Sequence, residues 1–413
     1  MTKKLLPVIS MLMVLVLILT ACAAKPTAAP VATEAPVATA AATEAPVATT
    51  AAAPVEVTLW HAYGTGSAEE LALTKNLEQA AIDMPDIKIN VLQVPFNDIF
   101  TKYETDVAAG GGPDMFIAPN DNLGNEVRAG VLADITTLAA GKLDGVSQLG
   151  IDGMSLDGKL YGIPETLKAV TLWYNKDLMP TPPATTDELL KVMEGGTDVA
   201  FTYGCYHDYG FFSAFGGEIF DSNWKVIADQ GTGVVDAMTW LNQLYQISKK
   251  NSWTKTDSDG LAPFTEGKAA AIVNGNWAMG DYKTALGDKL GVAPLPAGPV
   301  GPAKPMLGVD GFYLNPNGTN QEAALKVALY LTNDKSQTVM MTDAGHVPVR
   351  TDIKISDPLI QGLVDAFNKG ATIRPQVSQL GLYWNNFCGM DQVFEKGVTP
   401  AEWVAAGTTA ANK

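Results

Sequence analysis

From Val55 to Ala118 an apolar strand pattern and a helical stretch alternate, and this order constrains the fold more than any other feature of the 413-residue chain. Val55, Val57 and Leu59 alternate with Glu56 and Thr58, the period-two signature of a strand that carries Trp60 and His61 at its end. Beyond the loop Ala62 to Gly66, Ser67 and Glu70 have the spacing of a capping box, which predicts a helix bearing Leu71 and Leu77 and lasting to about Ala81. Ile87, Ile89 and Val91 repeat the strand pattern. A helix near Asn97 to Ala108, the turn Gly110-Gly111-Gly112-Pro113 and an apolar strand Asp114 to Ala118 follow. Strands alternating with helices indicate a parallel, doubly wound sheet, whose ligands sit beyond the carboxyl ends of the strands. Trp60, His61, Tyr63, Asn120 and Asp121 all fall at such ends.

A second α/β set begins near Val170, with strands at Val170 to Asn175 and Val199 to Tyr203 and a helix capped by Thr185 and Glu188. Met238, Leu241 and Tyr245 share one face of a helix from Val234 to Ser248. The strand Ala269 to Asn274 ends in Asn274-Gly275-Asn276-Trp277; a proline-rich passage, Gly308 to Tyr313, a helix from Gln321 to Leu331 and a helical stretch around Trp384 come after it. These units exceed what one sheet holds, and two lobes are expected.

The residues ahead of Val55 read differently. Lys3 and Lys4, an apolar run from Met11 to Leu19 and small residues around Ala21 form a secretory signal peptide over 1–21, shorter than the roughly 18 apolar residues of a membrane span. Leu19-Thr20-Ala21-Cys22 resembles the bacterial lipobox, which implies a lipid-modified Cys22 and a membrane contact through that anchor. Residues 22–54 are almost wholly Ala, Thr, Pro and Val after Cys22, with a repeat at Glu34 to Thr39 and Glu44 to Thr49, a tether. At the roughly 3.1 Å rise of polyproline II it could reach about 100 Å.

The chemistry of catalysis is sparse. No Gly-x-Ser-x-Gly elbow, P-loop or His-Glu-x-x-His motif occurs. With 28 basic against 44 acidic residues the net charge is -16, which repels phosphate backbones and argues against a nucleic-acid partner. Three cysteines are too few for a disulfide scaffold, and histidines at 61, 207 and 346 lack metal-ligand spacing, so neither a metal nor a cofactor is expected. His61 reads either as a ligand-contacting or basic group or as a hydrogen-bonded loop histidine. Trp60, Tyr63, Tyr206, Tyr209, Trp277, Tyr383 and Trp384 lie at element ends beside Asn120, Asp121 and Asp310. Flat rings stack on the C–H faces of sugars while carboxylates accept from hydroxyls.

At these residues the chain resembles the extracellular solute-binding proteins of family 1, in particular the maltose/maltodextrin-binding proteins of ABC importers. The matching segments are Gly112-Pro113-Asp114-Met115-Phe116 with Asn120-Asp121-Asn122, Ala129 to Thr136, Asp157 to Pro164, Leu172 to Leu178, Phe264 to Lys268 and Asn274 to Met279. They run in family order through most of the chain after the tether. The resemblance implies a sugar-binding carboxylate at Asp121 and aromatic stacks at Tyr206, Trp277 and one of Tyr383 and Trp384. Two positions depart from the family pattern: Asn122 replaces an arginine and Lys168 a glutamate. A donor-only cation cannot make the hydrogen bond of an acceptor-only carboxylate. Lys168 therefore either holds the sugar differently or turns to solvent beside the crossover.

The implied fold is α/β and periplasmic-binding-protein-like: two doubly wound lobes, 55–168 with 311–350 and 169–310 with 351–413, joined by three hinge crossovers near 167–170, 307–312 and 346–350. An oligosaccharide of the maltodextrin kind binds between the lobes, selects the closed state, and passes with the protein, as a monomer, to an ABC permease. The implied protein is a receptor without catalytic residues. An extracellular glycoside hydrolase, whose carboxylates stand roughly 5 to 9 Å apart, and a receptor for a non-sugar solute are the alternatives. Cys205 and Cys388 are a pair able to bridge outside the cell if the fold brings their Cα atoms together.

Overall fold

A computed structural model describes residues 53–250 and 257–413; the expected signal segment, Cys22 and the tether as far as Ala52 lie outside the described residues. Ser67 opens the first helix, α1 (Ala68–Asp83), with its hydroxyl accepting from the Glu70 N–H at 3.3 Å. The Glu70 carboxylate reaches the Gly66 N–H at 2.5 Å, so the cap closes one residue earlier than the capping box places it. The helix buries Glu69, Ala72, Leu73, Asn76 and Ala80. Leu71 is 63% exposed because it lies on the opposite side of the 3.6-residue period. Next come α2 (Phe96–Ala108) and α3 (Leu123–Ala129).

The strands are β1 (Val55–His61), β2 (Ile87–Gln93), β3 (Met115–Pro119), the hairpin β4 (Ser155–Leu156) and β5 (Lys159–Leu160), β6 (Gly162–Lys168), β7 (Val170–Asn175), β8 (Val199–Phe201), β9 (Ala271–Gly275), β10 (Leu290–Ala293), β11 (Met306–Leu314), β12 (Val347–Pro348) and β13 (Thr372–Ile373). One sheet has the order β12-β6-β11-β3-β1-β2 with β13 added to β11, and the other β10-β7-β9-β8. Two α/β lobes are thereby joined by crossovers, the first a single residue, Ala169, between β6 and β7.

Both sheets are mixed, whereas the strand and helix alternation predicts parallel ones. The pairs β1·β2, β1·β3 and β8·β9 are parallel, but β11 runs antiparallel to β3 and β6, and β7 antiparallel to β9 and β10. The physical reason is the crossing itself: β6 leaves the first sheet for the second and β11 comes back, so the two pass in opposite directions. β11 spans the expected lobe boundary, pairing with β13 at Met306 and Leu307 and with β6 from Gly308 onward.

Side-chain alternation covers the second sheet on both faces. Leu172 and Val273 join a core with Phe211, Leu241 and Tyr383, while Trp173 and Ile272 join one with Tyr282, Leu363 and Phe367 on the other side. Val57, Leu59, Phe116 and Phe312 anchor the first sheet.

Candidate functional site

Alternation along β1 separates two residues expected to act together. Trp60 packs into the first core, with Lys102 Nζ from α2 4.6 Å from its ring centroid. His61 faces the other way, closing β1 at 4% exposure with no hydrogen bond to Nδ1, and burial lowers its pKa. It is a strand residue, not the loop histidine considered above. The Tyr63 ring lies 5.9 Å from that of His61 and its buried hydroxyl has no partner among the described residues. Beyond β3, Asn120 is fully buried: its Nδ2 donates to the Gly153 carbonyl at 2.8 Å and its Oδ1 accepts from the Val309 N–H at 3.2 Å.

Where the crossovers gather, five charged groups are buried together. Lys168, at the end of β6, does not turn to solvent; its Nζ lies 2.5 Å from Glu69 Oε1 and 2.8 Å from Asp310 Oδ2. Glu69 also meets His346 Nε2 at 2.7 Å, and the other imidazole nitrogen is 2.9 Å from Glu165 Oε2. Burial opposes the charges of Glu69, Lys168, Asp310 and His346, and pairing overrides it for Glu69, Lys168 and His346. Lys168 and His346 hold the Glu69 carboxyl down to about 2, and Glu165 leads the contacts that push His346 up to about 9. For Asp310 burial wins and the carboxyl is raised. Its Oδ1 has no hydrogen-bond partner among the described residues.

A second group of expected site residues is aromatic. Tyr206 follows β8 and Trp277 follows β9, with ring centroids 6.0 Å apart and His207 5.6 Å from Trp277. Trp277 lies over Gly275, where any Cβ would stand 1.9 Å from the indole, so only glycine admits that pose. Asn276 fixes the turn against two crossovers, donating to the Leu167 and Gly345 carbonyls at 3.2 and 3.4 Å and accepting from the Ala169 N–H at 3.2 Å. Asp310 reaches this group too, its charge adding to burial in raising the Tyr206 phenol.

Tyr383 and Trp384, adjacent in the helix Leu380–Phe387, separate by environment. Tyr383 is wholly buried and donates to the Cys205 carbonyl at 2.6 Å, whereas Trp384 is half-buried with Nε1 unpartnered among the described residues. Cys205 and Cys388 form a disulfide with Cα atoms 4.7 Å apart, tying the Tyr206 loop to the end of the Trp384 helix.

Sequence reasoning missed Arg374. Following β13, it is 2% exposed, ion-paired with Asp121, 3.2 Å through Nη1 from Asn120 Oδ1, and 4.8 Å above the Tyr206 ring. The only signal in the sequence is an arginine wedged between Ile373 and Pro375, where a two-residue strand leaves no period to read.

Beside these rings the chain buries acceptors and donors, among them Tyr63 Oη, His61 Nδ1, Asp310 Oδ1 and Trp384 Nε1, that lack hydrogen bonds among the described residues. Such a site holds a polyhydroxylated molecule by stacking and hydrogen bonds.

The family described as bacterial extracellular solute-binding proteins matches residues 72–365. A maltotriose-binding protein of Pyrococcus abyssi is 27% identical over 365 residues, 82% of this chain and 78% of its own length. A maltooligosaccharide ABC transporter solute-binding lipoprotein of Streptococcus pneumoniae is 26% identical over 69% of this chain and 72% of its own. In fold, a maltose/maltodextrin-binding domain of Bdellovibrio bacteriovorus bound to maltotriose superposes with a TM-score of 0.78 at 22% identity, covering 86% of this chain and 98% of that one.

Proposed function

The chain belongs to the bacterial extracellular solute-binding proteins, and we propose that its solute is a neutral oligosaccharide of the maltodextrin class, captured between the lobes and delivered to an ABC permease. The observation that carries this reading is the chemistry of the site: Tyr206 and Trp277 supply rings, while Tyr63, Asp310 and Trp384 hold buried polar atoms with no hydrogen-bond partner among the described residues. The names of the relatives from Pyrococcus and Streptococcus support the same solute class and an ABC transporter. The protein is a receptor and not an enzyme. The sugar contacts assigned to His61, Tyr63, Asp121, Tyr206, Trp277, Asp310 and Trp384 belong to this proposal.

Lipid anchoring at Cys22, with the globular part monomeric on its tether, is the corresponding reading of the N-terminal segment. It is supported by the lipobox-like Leu19-Thr20-Ala21-Cys22 and by the lipoprotein among the relatives. The Cys205–Cys388 disulfide agrees with an oxidising compartment. No helix among the described residues is long and apolar enough to cross a membrane.

A melting screen over mono- and oligosaccharides tests the solute class. A ligand at a hundredfold excess over its Kd stabilises by about 2.7 kcal/mol, an easily read shift. Maltotriose is expected to raise Tm and to be recovered intact. A Tm unmoved by every oligosaccharide overturns the reading.

A further inference from the structure

The loop between β8 and the helix Tyr209–Ala214 carries Tyr206, and a buried carboxyl closes it. Asp208 has no exposed surface. It stands at the N-terminus of that helix without capping it; the side chain turns back, and Oδ2 accepts from the Gly204 N–H at 2.9 Å. The Asp208 N–H donates to the Gly204 carbonyl, also at 2.9 Å, so residues 204–208 form a ring closed by two bonds. The Cys205–Cys388 disulfide and the Tyr383 hydroxyl on the Cys205 carbonyl hold one end of this ring, and Asp208 holds the other. Tyr206 stands between them, its hydroxyl 3.3 Å from the Met306 carbonyl and its ring beneath the Arg374 guanidinium.

The surroundings of Asp208 do not suit a charge. Its Oδ1 has no hydrogen-bond partner, and no cation pairs with the carboxyl, among the described residues. The groups that face it are the phenols of Tyr203, beyond β8, and of Tyr383, both raised by burial and neutral. His207, next to it in sequence, turns Nε2 to Asn274 Oδ1 at 3.1 Å. Burial pushes the Asp208 carboxyl up to about 8 against the opposing pull of the Gly204 N–H.

Resting on the oligosaccharide reading above, we infer that Asp208 is a positioning residue of that site: it pins the loop that presents Tyr206, and through that loop makes oligosaccharide affinity fall as the medium turns alkaline. A carboxylate accepts several hydrogen bonds, and here it finds one. Charged and buried, it draws the chain toward water. Because the disulfide fixes the Cys205 end, the end from Tyr206 to Asp208 is the one that gives way. Released into water the group ionises near its ordinary 3.8, so the weight of the released loop rises about tenfold per pH unit from there to about 8 and levels off above. A binding-competent loop that is only partly populated raises the apparent Kd in proportion.

Maltotriose is titrated by calorimetry at pH 6 and pH 9 into the wild-type protein, Asp208→Asn and Asp208→Ser, with the Tm of each free protein recorded. Both variants keep an oxygen for the Gly204 N–H and never ionise. Wild-type affinity is expected to fall at least about fivefold between the two pH values, and affinity of either variant by less than half that factor. Glu126, His346 and Arg374 also titrate in this window, but in all three proteins alike, so the difference between wild type and variant belongs to Asp208. In wild type alone, hydrogen exchange of the segment 204–208, corrected for its intrinsic rise with pH, should lose protection from pH 6 to pH 9, whether or not either variant folds. An equal pH dependence in all three proteins, or undiminished protection of the segment, overturns the inference and leaves the oligosaccharide reading standing. Wild-type protein that binds no oligosaccharide at either pH overturns the proposed function and this inference with it.

Discussion

Lys168 Nζ lies 2.5 Å from Glu69 Oε1, joining the first crossover to the opening turn of α1 across 99 residues of sequence. The same nitrogen holds Asp310 on the second crossover at 2.8 Å, and Glu69 passes the contact to His346 beside the third. The Lys168 cation is therefore engaged by groups on and beside the crossovers. Its replacement is felt first in stability.

Lys168→Met leaves Glu69 and Asp310 buried with one cation fewer, and stability is expected to fall by about 3 to 5 kcal/mol, the scale of breaking a buried ion pair. Urea denaturation checks this. A loss below about 1 kcal/mol, with oligosaccharide affinity sharply reduced, would instead make Lys168 chiefly a sugar contact.

Stability is expected to peak near pH 4.5. Glu69, lowered to about 2 from 4.5, stabilises fully above its unfolded value and loses that contribution as pH falls through about 2. His346, raised to about 9 from 6.5, stabilises fully below 6.5 and loses its contribution as pH rises through about 9. Glu126 in α3 is 1% exposed and pushed up to about 8, by burial and then by Glu104, so its contribution is complete below 4.5 and lost as pH rises through about 8. Glu126→Gln, which mimics the protonated carboxyl, should gain Tm over wild type at pH 8.5 and not at pH 4.5. A Tm profile that is flat for wild type from pH 4.5 to 8.5 contradicts the assignment.

Trp277→Ala removes the half-buried indole that lies over Gly275. Affinity for the bound oligosaccharide is expected to fall by roughly 1 to 3 kcal/mol, the scale of a large apolar side chain losing its burial. Free-protein Tm should change little. Calorimetry that finds equal affinities removes Trp277 from the site.

The disulfide closes a loop of 183 residues in sequence separation, and Cys205→Ala with Cys388→Ala should cost roughly 2 to 5 kcal/mol of stability. Sugar affinity should fall as well, because the bridge ties the Tyr206 loop to the Trp384 helix. Identical affinity with and without reductant, measured well below Tm, would limit the bridge to stability.

Cys22→Ala should abolish acylation and leave the protein unprocessed or shed from the membrane. Mass spectrometry of the wild-type membrane fraction checks this, and an unmodified Cys22 there rules out the anchor.

Local periodicity determined much of the fold. The strand Val170–Asn175 and the helix Gln321–Leu331 occupy the residues their patterns predict, because periods of two and 3.6 are properties of the chain itself. The same logic put His61, Tyr63, Asp121, Tyr206 and Trp277 at or near element ends: His61 closes β1, Tyr63, Asp121 and Trp277 follow closely on β1, β3 and β9, and Tyr206 lies further out, in the turn beyond β8. Strand direction was not legible, since β11 runs against β3 only because the chain has crossed to the second sheet and returned.

Tertiary structure alone decided the partners. Lys168 with Glu69 and Asp310, Asp121 with Arg374, and Cys205 with Cys388 are pairings between residues far apart in sequence. The chain specifies, residue by residue, which groups are apolar, charged or ring-bearing. Which of them meet depends on where three crossovers converge, and that is fixed only when both sheets are packed: burial removes the water that satisfied each charge and leaves the nearest opposite charge as its partner.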